Sequence, residues 1–192
     1  MPRPMQARDQ LLDAAAELLE SQGVRHLNTN ALAAAAGVTP PTVYRYFDNK
    51  EAVVIALAER FMDAERAWLT AAEDEIHKAK DAAEAACSLI DRYWLSARQQ
   101  RGIVALRGAM RVWPELRSIE EASLDNSAKL VSALLRPLLP RLSKLEVRRS
   151  SRYIVELVCS TVDRCYPLPR REQTWRMTEL KRAIAAYLRS RE

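Results

Sequence analysis

The placing of helix breakers constrains this chain more than any other feature of its sequence. From Ala7 to Ser21, Leu11, Leu12, Ala15, Leu18 and Leu19 recur at i, i+1, i+4, i+7 and i+8, one apolar stripe along a helix. Gly23 follows as a left-handed stop. Asn28 or Thr29 caps a short second helix through Ala36, and Gly37 ends it. Thr39 caps a third, whose first two positions are Pro40 and Pro41. A missing N–H is harmless there, since the first four helical donors lack intrahelical partners. Asp48 and Glu51, three apart, make a capping-box-like start to a long fourth helix striped by Val54, Leu57, Phe61, Trp68, Ala72 and Ile76. Further helices are predicted near 81–100, 102–112, 115–136, 143–165 and 171–190, with Gly102, Pro114, Pro137, Pro140, Pro167 and Pro169 at the joints. No segment alternates as a strand does, and no internal repeat stands out. The predicted fold class is all-α with about nine helices.

Composition agrees with that pattern. Only 4 of 192 residues are glycine, and alanine, leucine, arginine and glutamate, which lose little freedom on a helix, dominate. No run of about 18 apolar residues offers a membrane span. The start, Met1-Pro2-Arg3-Pro4-Met5-Gln6, lacks the apolar stretch of a secretory signal, so a cytoplasmic location is expected. Cys87, Cys159 and Cys165 show no metal-ligand spacing and read as small buried hydrophobes. With His26 and His77 as the only histidines, no nucleophile elbow and no phosphate loop, the chain is not expected to be an enzyme, and neither a cofactor nor a metal is expected. His77 lies one helical turn from Glu73 and is expected to pair with it at the surface. The net charge of +5 does not locate a nucleic-acid face, because residues 1–50 hold five basic and five acidic side chains. The excess falls in 136–192, fourteen basic against six acidic.

Arrangement is more informative than charge. Three short helices with a glycine in the tight turn between the second and third fit a helix-turn-helix, predicted over residues 1–50. Ala33, Ala34 and Ala36 are small enough for close packing, and Val38 and Val43 can fill the angle between the helices. The third helix then projects Pro41, Thr42, Tyr44, Arg45 and Tyr46 as a short rod that a major groove about 12 Å wide would admit.

The stretch from Gly37 to Glu51, GVTPPTVYRYFDNKE, with Leu11-Leu12-Asp13-Ala14-Ala15 and Gly23 upstream, closely resembles the TetR family of bacterial regulators. The resemblance implies a homodimer whose N-terminal heads read a palindromic operator in double-stranded DNA. It also implies a C-terminal domain, here 51–192, that binds a small-molecule effector and dimerises. Carried over by position, the family's DNA contacts fall on Thr29, Asn30, Pro40, Pro41, Thr42, Tyr44, Arg45, Tyr46 and Lys50. The hydroxyls suit phosphate oxygens, and Arg45 suits guanine or phosphate. Pro40, Pro41 and the Thr42 methyl suit thymine methyls, and Lys50 suits a phosphate at the start of the fourth helix. Arg3 and Arg8 are further candidates for DNA contact.

In the C-terminal part, Phe61, Trp94, Met110 and Trp113 with Ser123, Asn126 and Ser127 are the candidate ligand pocket, leaning toward an apolar or aromatic effector. The serines equally suit bonds to their own helix at i−4. Cys87, Leu89, Ile90, Tyr93, Trp94 and Leu95 make the preceding helix apolar on more than one face, as beside a cavity. Ile154, Leu157, Val158 and Thr161, then Trp175, Leu180, Ile184 and Leu188, form stripes that could close the core; the resemblance implies a four-helix dimer interface there. The functional expectation is a ligand-responsive repressor. A helical adaptor without sequence-specific DNA binding, or an activator, stays open on the sequence.

Overall fold

The computed structural model describes residues 4–76 and 78–191. Arg3 and His77 lie outside them. Among the described residues every regular element is helical: α1 Pro4–Gln22, α2 Thr29–Ala35, α3 Pro40–Tyr44, α4 Lys50–Ala71, α5 Glu73–Ile76, α6 Ala82–Gln99, α7 Ile103–Val112, α8 Arg117–Leu135, α9 Lys144–Cys165 and α10 Arg170–Arg189. The nine predicted helices are all present, and the single turn of α5 is added to them.

The contacts divide the chain into two compact units that cut across sequence order. One joins the residues up to Asp63 to Gln100–Glu120, and the other joins Ala64–Gln99 to Glu121 onward. Residues 51–63 and 100–120, expected within the C-terminal domain, therefore pack inside the first unit. The reason is burial. Leu106, Met110 and Leu116 complete the same core as Leu11, Leu12, Leu19, Leu32, Val43, Phe47, Val54 and Leu57. All seven of these leucines are no more than 2% exposed, so truncating any one to alanine is expected to cost about 2–5 kcal/mol.

Local chemistry explains the joints of this first unit. Asn28 Oδ1 accepts from Ala31 N–H at 2.9 Å and starts α2. Gly37, at φ 65°, lets the chain turn while Val38 N–H reaches Ala33 C=O at 2.9 Å. Thr39 precedes α3, and its side chain accepts no capping bond. With Pro40 and Pro41 lacking N–H groups and Thr42 N–H already bonded to Thr39 C=O at 2.9 Å, the first turn leaves its hydroxyl no donor to satisfy. The hydroxyl meets that of Thr42 at 3.0 Å. The start of α4 also differs from expectation by one residue. Asn49 Oδ1, not Asp48, accepts from Ala52 N–H at 2.8 Å, so the predicted Asp48–Glu51 box is not the cap. Gly102, at φ 75°, opens α7 against α1, and a Cβ there would stand 2.5 Å from the Ala16 carbonyl oxygen.

The second unit is built on α6 and α10. Ala82, Ala83, Ala85 and Ala86 give α6 a smooth face, and Met177, Leu180, Ile184 and Leu188 bury one side of α10. α9 packs on both and begins with a full capping box, Ser143 Oγ accepting from Glu146 N–H at 3.2 Å while Glu146 accepts from Ser143 N–H at 2.8 Å.

Candidate nucleic-acid interface

α3 is amphipathic across a single turn and a half. Val43 and the following Phe47 point inward and are buried, whereas Pro40, Pro41, Tyr44 and Arg45 are exposed. Tyr44 is 54% exposed. Two bonds hold the outward side chains. The Tyr44 hydroxyl meets the Thr29 hydroxyl from α2 at 3.0 Å, and an Arg45 guanidinium N–H donates to the Tyr46 hydroxyl at 3.0 Å. The same guanidinium lies 5.0 Å from the centre of the Tyr46 ring. Asn30 is exposed at the start of α2, and Thr42 is half-buried beside Thr39. The structure thus brings Thr29 to Tyr44 and Arg45 to Tyr46, and leaves Asn30, Pro40 and Pro41 exposed.

Lys50, in the first turn of α4, keeps its ammonium 4.8 Å from the centre of the Trp113 ring and 4.0 Å from a Glu51 carboxylate oxygen. Sequence reasoning missed this use of Trp113, because the contact spans more than sixty residues and no local pattern announces it. Arg8 likewise lies 5.7 Å from the centre of the Phe47 ring, bringing α1's one basic residue of this stretch beside the end of α3.

The residues expected to line a pocket do not all come together. Phe61 and Met110 are buried in the core of the first unit, and Trp113 packs against that same core. Their helical stripes announced burial but not which core they would enter. Trp94 is half-buried under the Arg98 guanidinium at 5.7 Å, and Asn126 is exposed. Ser127 donates to the Ser123 carbonyl at 3.0 Å, the i−4 bond that serines on helices favour, and also reaches Glu65 Oε2 at 3.0 Å.

One cavity within the second unit is lined by four helices. Glu65, Trp68 and Leu69 come from α4, Ala86, Leu89, Ile90 and Tyr93 from α6, Val131 from α8, and Ile154, Val155, Val158 and Cys159 from α9. About 40 Å³ of it is open to the centre of a water molecule. Ile154 and Val158, expected at a dimer interface, face this cavity, and Leu180, Ile184 and Leu188 are buried in the unit's own core. Trp175 stands 59% exposed, Thr161 and Leu157 are half-buried, and Tyr153 on the same face of α9 is exposed. Burial pushes the Cys87 and Cys165 thiols above their ordinary value, which disfavours the reactive thiolate.

Comparison with known proteins accounts for both units. Residues 11–57 match the family described as bacterial regulatory proteins, tetR family, and residues 80–192 match the tetracyclin repressor-like C-terminal domain. The chain belongs to the TetR family. Among curated relatives, EthR of Mycobacterium tuberculosis is 38% identical over 65 residues, covering 33% of this chain and 30% of that protein. The fatty acid metabolism regulator protein of Bacillus subtilis is 29% identical over 85 residues, covering 44% and 42%. The chain thus matches less than half the length of these relatives. In three dimensions it is similar to the fatty acid degradation regulator FadR from Bacillus halodurans, with a TM-score of 0.74 at 22% identity over 98% of this chain and 96% of that one. FadR from Bacillus subtilis, solved in complex with stearoyl-CoA, gives 0.72 at 22% identity over 94% and 96%. TetR-family membership makes this chain a helix-turn-helix transcriptional regulator, and no helix among its described residues is long and apolar enough to cross a membrane.

Proposed function

We propose that this regulator is a repressor that grips a palindromic operator as a homodimer and lets go when a small apolar or aromatic effector enters the cavity of its second unit. The observation that carries the DNA half is the outward face of α3, where Tyr44 and Arg45 are exposed yet held by Thr29 and Tyr46. Side chains oriented before contact lose less freedom on binding. Arg45 and the exposed Pro40, Pro41 and Tyr44 meet base edges and thymine methyls, while Thr29, Asn30, Thr42, Tyr46 and Lys50 engage phosphates and fix register. A dimer would set two copies of α3 roughly 34–36 Å apart, one DNA turn. The outer face of α9 and α10, with Tyr153, Leu157, Thr161 and Trp175, is the proposed dimer surface, in place of the inward-facing residues of the same helices.

For the effector half, support comes from the apolar lining and from α4, whose residues are shared between the units. A ligand that displaces Trp68 or Leu69 acts on the same helix that carries Lys50. To loosen DNA about 100-fold it must prefer the non-binding state by about 2.7 kcal/mol. The test is footprinting on DNA flanking the protein's own coding sequence. Protection of a palindrome, lost on removing the Thr42, Tyr44 and Arg45 side chains together, is expected. Equal binding by that triple variant would end the proposal.

A further inference from the structure

Resting on the reading that the second unit binds an effector, we propose that this effector is an uncharged, largely apolar molecule with one hydrogen-bond acceptor, such as a ketone or ester oxygen, which takes the indole N–H of Trp68.

Most of the lining is hydrocarbon, so its few polar atoms define what a ligand must carry. Tyr93 has its hydroxyl 3.3 Å from Cys159 Sγ, and Glu65 accepts from Ser127. The Trp68 Nε1–H differs from both: it is buried and has no hydrogen-bond partner. A buried donor without an acceptor is a standing cost, and buried polar groups are normally paired. Indole nitrogen only donates, so its complement must be an acceptor. Glu65 is the one charged side chain among the lining residues, and it already has Ser127 as a partner. A free carboxylate entering here would be stripped of water beside another carboxylate, with no lysine or arginine in the lining to meet it. An ammonium group offers Trp68 nothing, since it has no lone pair. A neutral acceptor answers both constraints. The Trp68 and Tyr93 rings, 6.4 Å apart and inclined at 47°, favour a flat apolar body beside it. Since the open space is small, the ligand must part the four helices as it enters, which links occupancy to the position of α4.

Four probes of nearly one shape test this on the full-length protein by calorimetry: acetophenone, ethylbenzene, benzoate and benzylammonium. Acetophenone is expected to bind tightest, about two- to tenfold ahead of ethylbenzene, the net worth of one hydrogen bond, with benzoate weakest. Trp68→Phe keeps the aromatic bulk and should bring acetophenone down to ethylbenzene while leaving ethylbenzene unchanged. Glu65→Gln should narrow the gap between benzoate and acetophenone. Equal binding of acetophenone and ethylbenzene to the natural protein, or an equal loss of both in Trp68→Phe, would make the indole mere packing and overturn the inference. So would benzylammonium outranking acetophenone, since the anchor would then be Glu65. Binding by none of the four would overturn it together with the cavity's role, whereas the footprint decides the DNA half independently.

Discussion

The two units display their polar groups in opposite ways. In the first, Tyr44, Arg45 and Lys50 stand outside a small, densely packed core, each held by a neighbour. In the second, Glu65, Trp68 and Tyr93 turn toward an apolar interior drawn from four helices. An outward site on one short helix can be altered side chain by side chain with little effect on the core. An inward site is part of the core, so changing its ligand preference also changes packing. The first unit should therefore separate binding from stability, and the second should not.

The sharpest way to break that comparison is at α7. Gly102→Ala places a methyl against the Ala16 carbonyl and forces an alanine to positive φ, an expected loss of about 3 kcal/mol or more. Gly108→Ala on the same helix meets open space and should gain about 0.5–1 kcal/mol. Thermal melts of the pair check this. If both behave alike, the first unit is not built around the α1–α7 contact. Next in size is Arg45→Ala, expected to cost about 1–3 kcal/mol of operator discrimination with an unchanged melting temperature, read by gel shifts on matched and mismatched sites. A large fall in melting temperature would deny the separation of site from core. Trp113→Leu should weaken operator binding by about 0.5–1 kcal/mol and lower its salt dependence. The effect should vanish in a Lys50→Ala background, because Trp113 acts by holding that ammonium.

The smallest expected effect lies in the second unit. Lys129 first, then Arg148, hold the Asp125 carboxyl below its ordinary value. A group whose folded pKa is lowered adds stability above its unfolded value and loses it as pH falls through the carboxylate range. Melting temperatures of the natural protein and Asp125→Asn should differ slightly near neutrality and converge in acid. A gap that widens in acid would contradict the sign.

How far the sequence could be read follows from the range of the contacts involved. Helix positions, the turn at Gly37 and the outward set on α3 depend on neighbours within a few residues, and reading in order recovers them. Met110 and Trp113 carry an apolar stripe that any core would accept, so their entry into the first unit was invisible. Ile154 and Val158 share their stripe with Leu157 and Thr161, and periodicity names the apolar face without naming what covers it. The cavity drew on the same blindness, although Leu89, Ile90 and Tyr93 had already made α6 apolar on more sides than one partner could cover. Asn49 displaced Asp48 as a cap because either side chain suits that position, and backbone geometry alone decides.

Pro40 and Pro41 open α3 in succession, and each fixes a torsion before the chain has folded. The five-residue rod therefore depends little on the identity of Thr42, Tyr44 or Arg45 for its shape. Those three positions behave as movable type in a rigid frame: new letters can be set for a different operator while the frame that prints them stays the same.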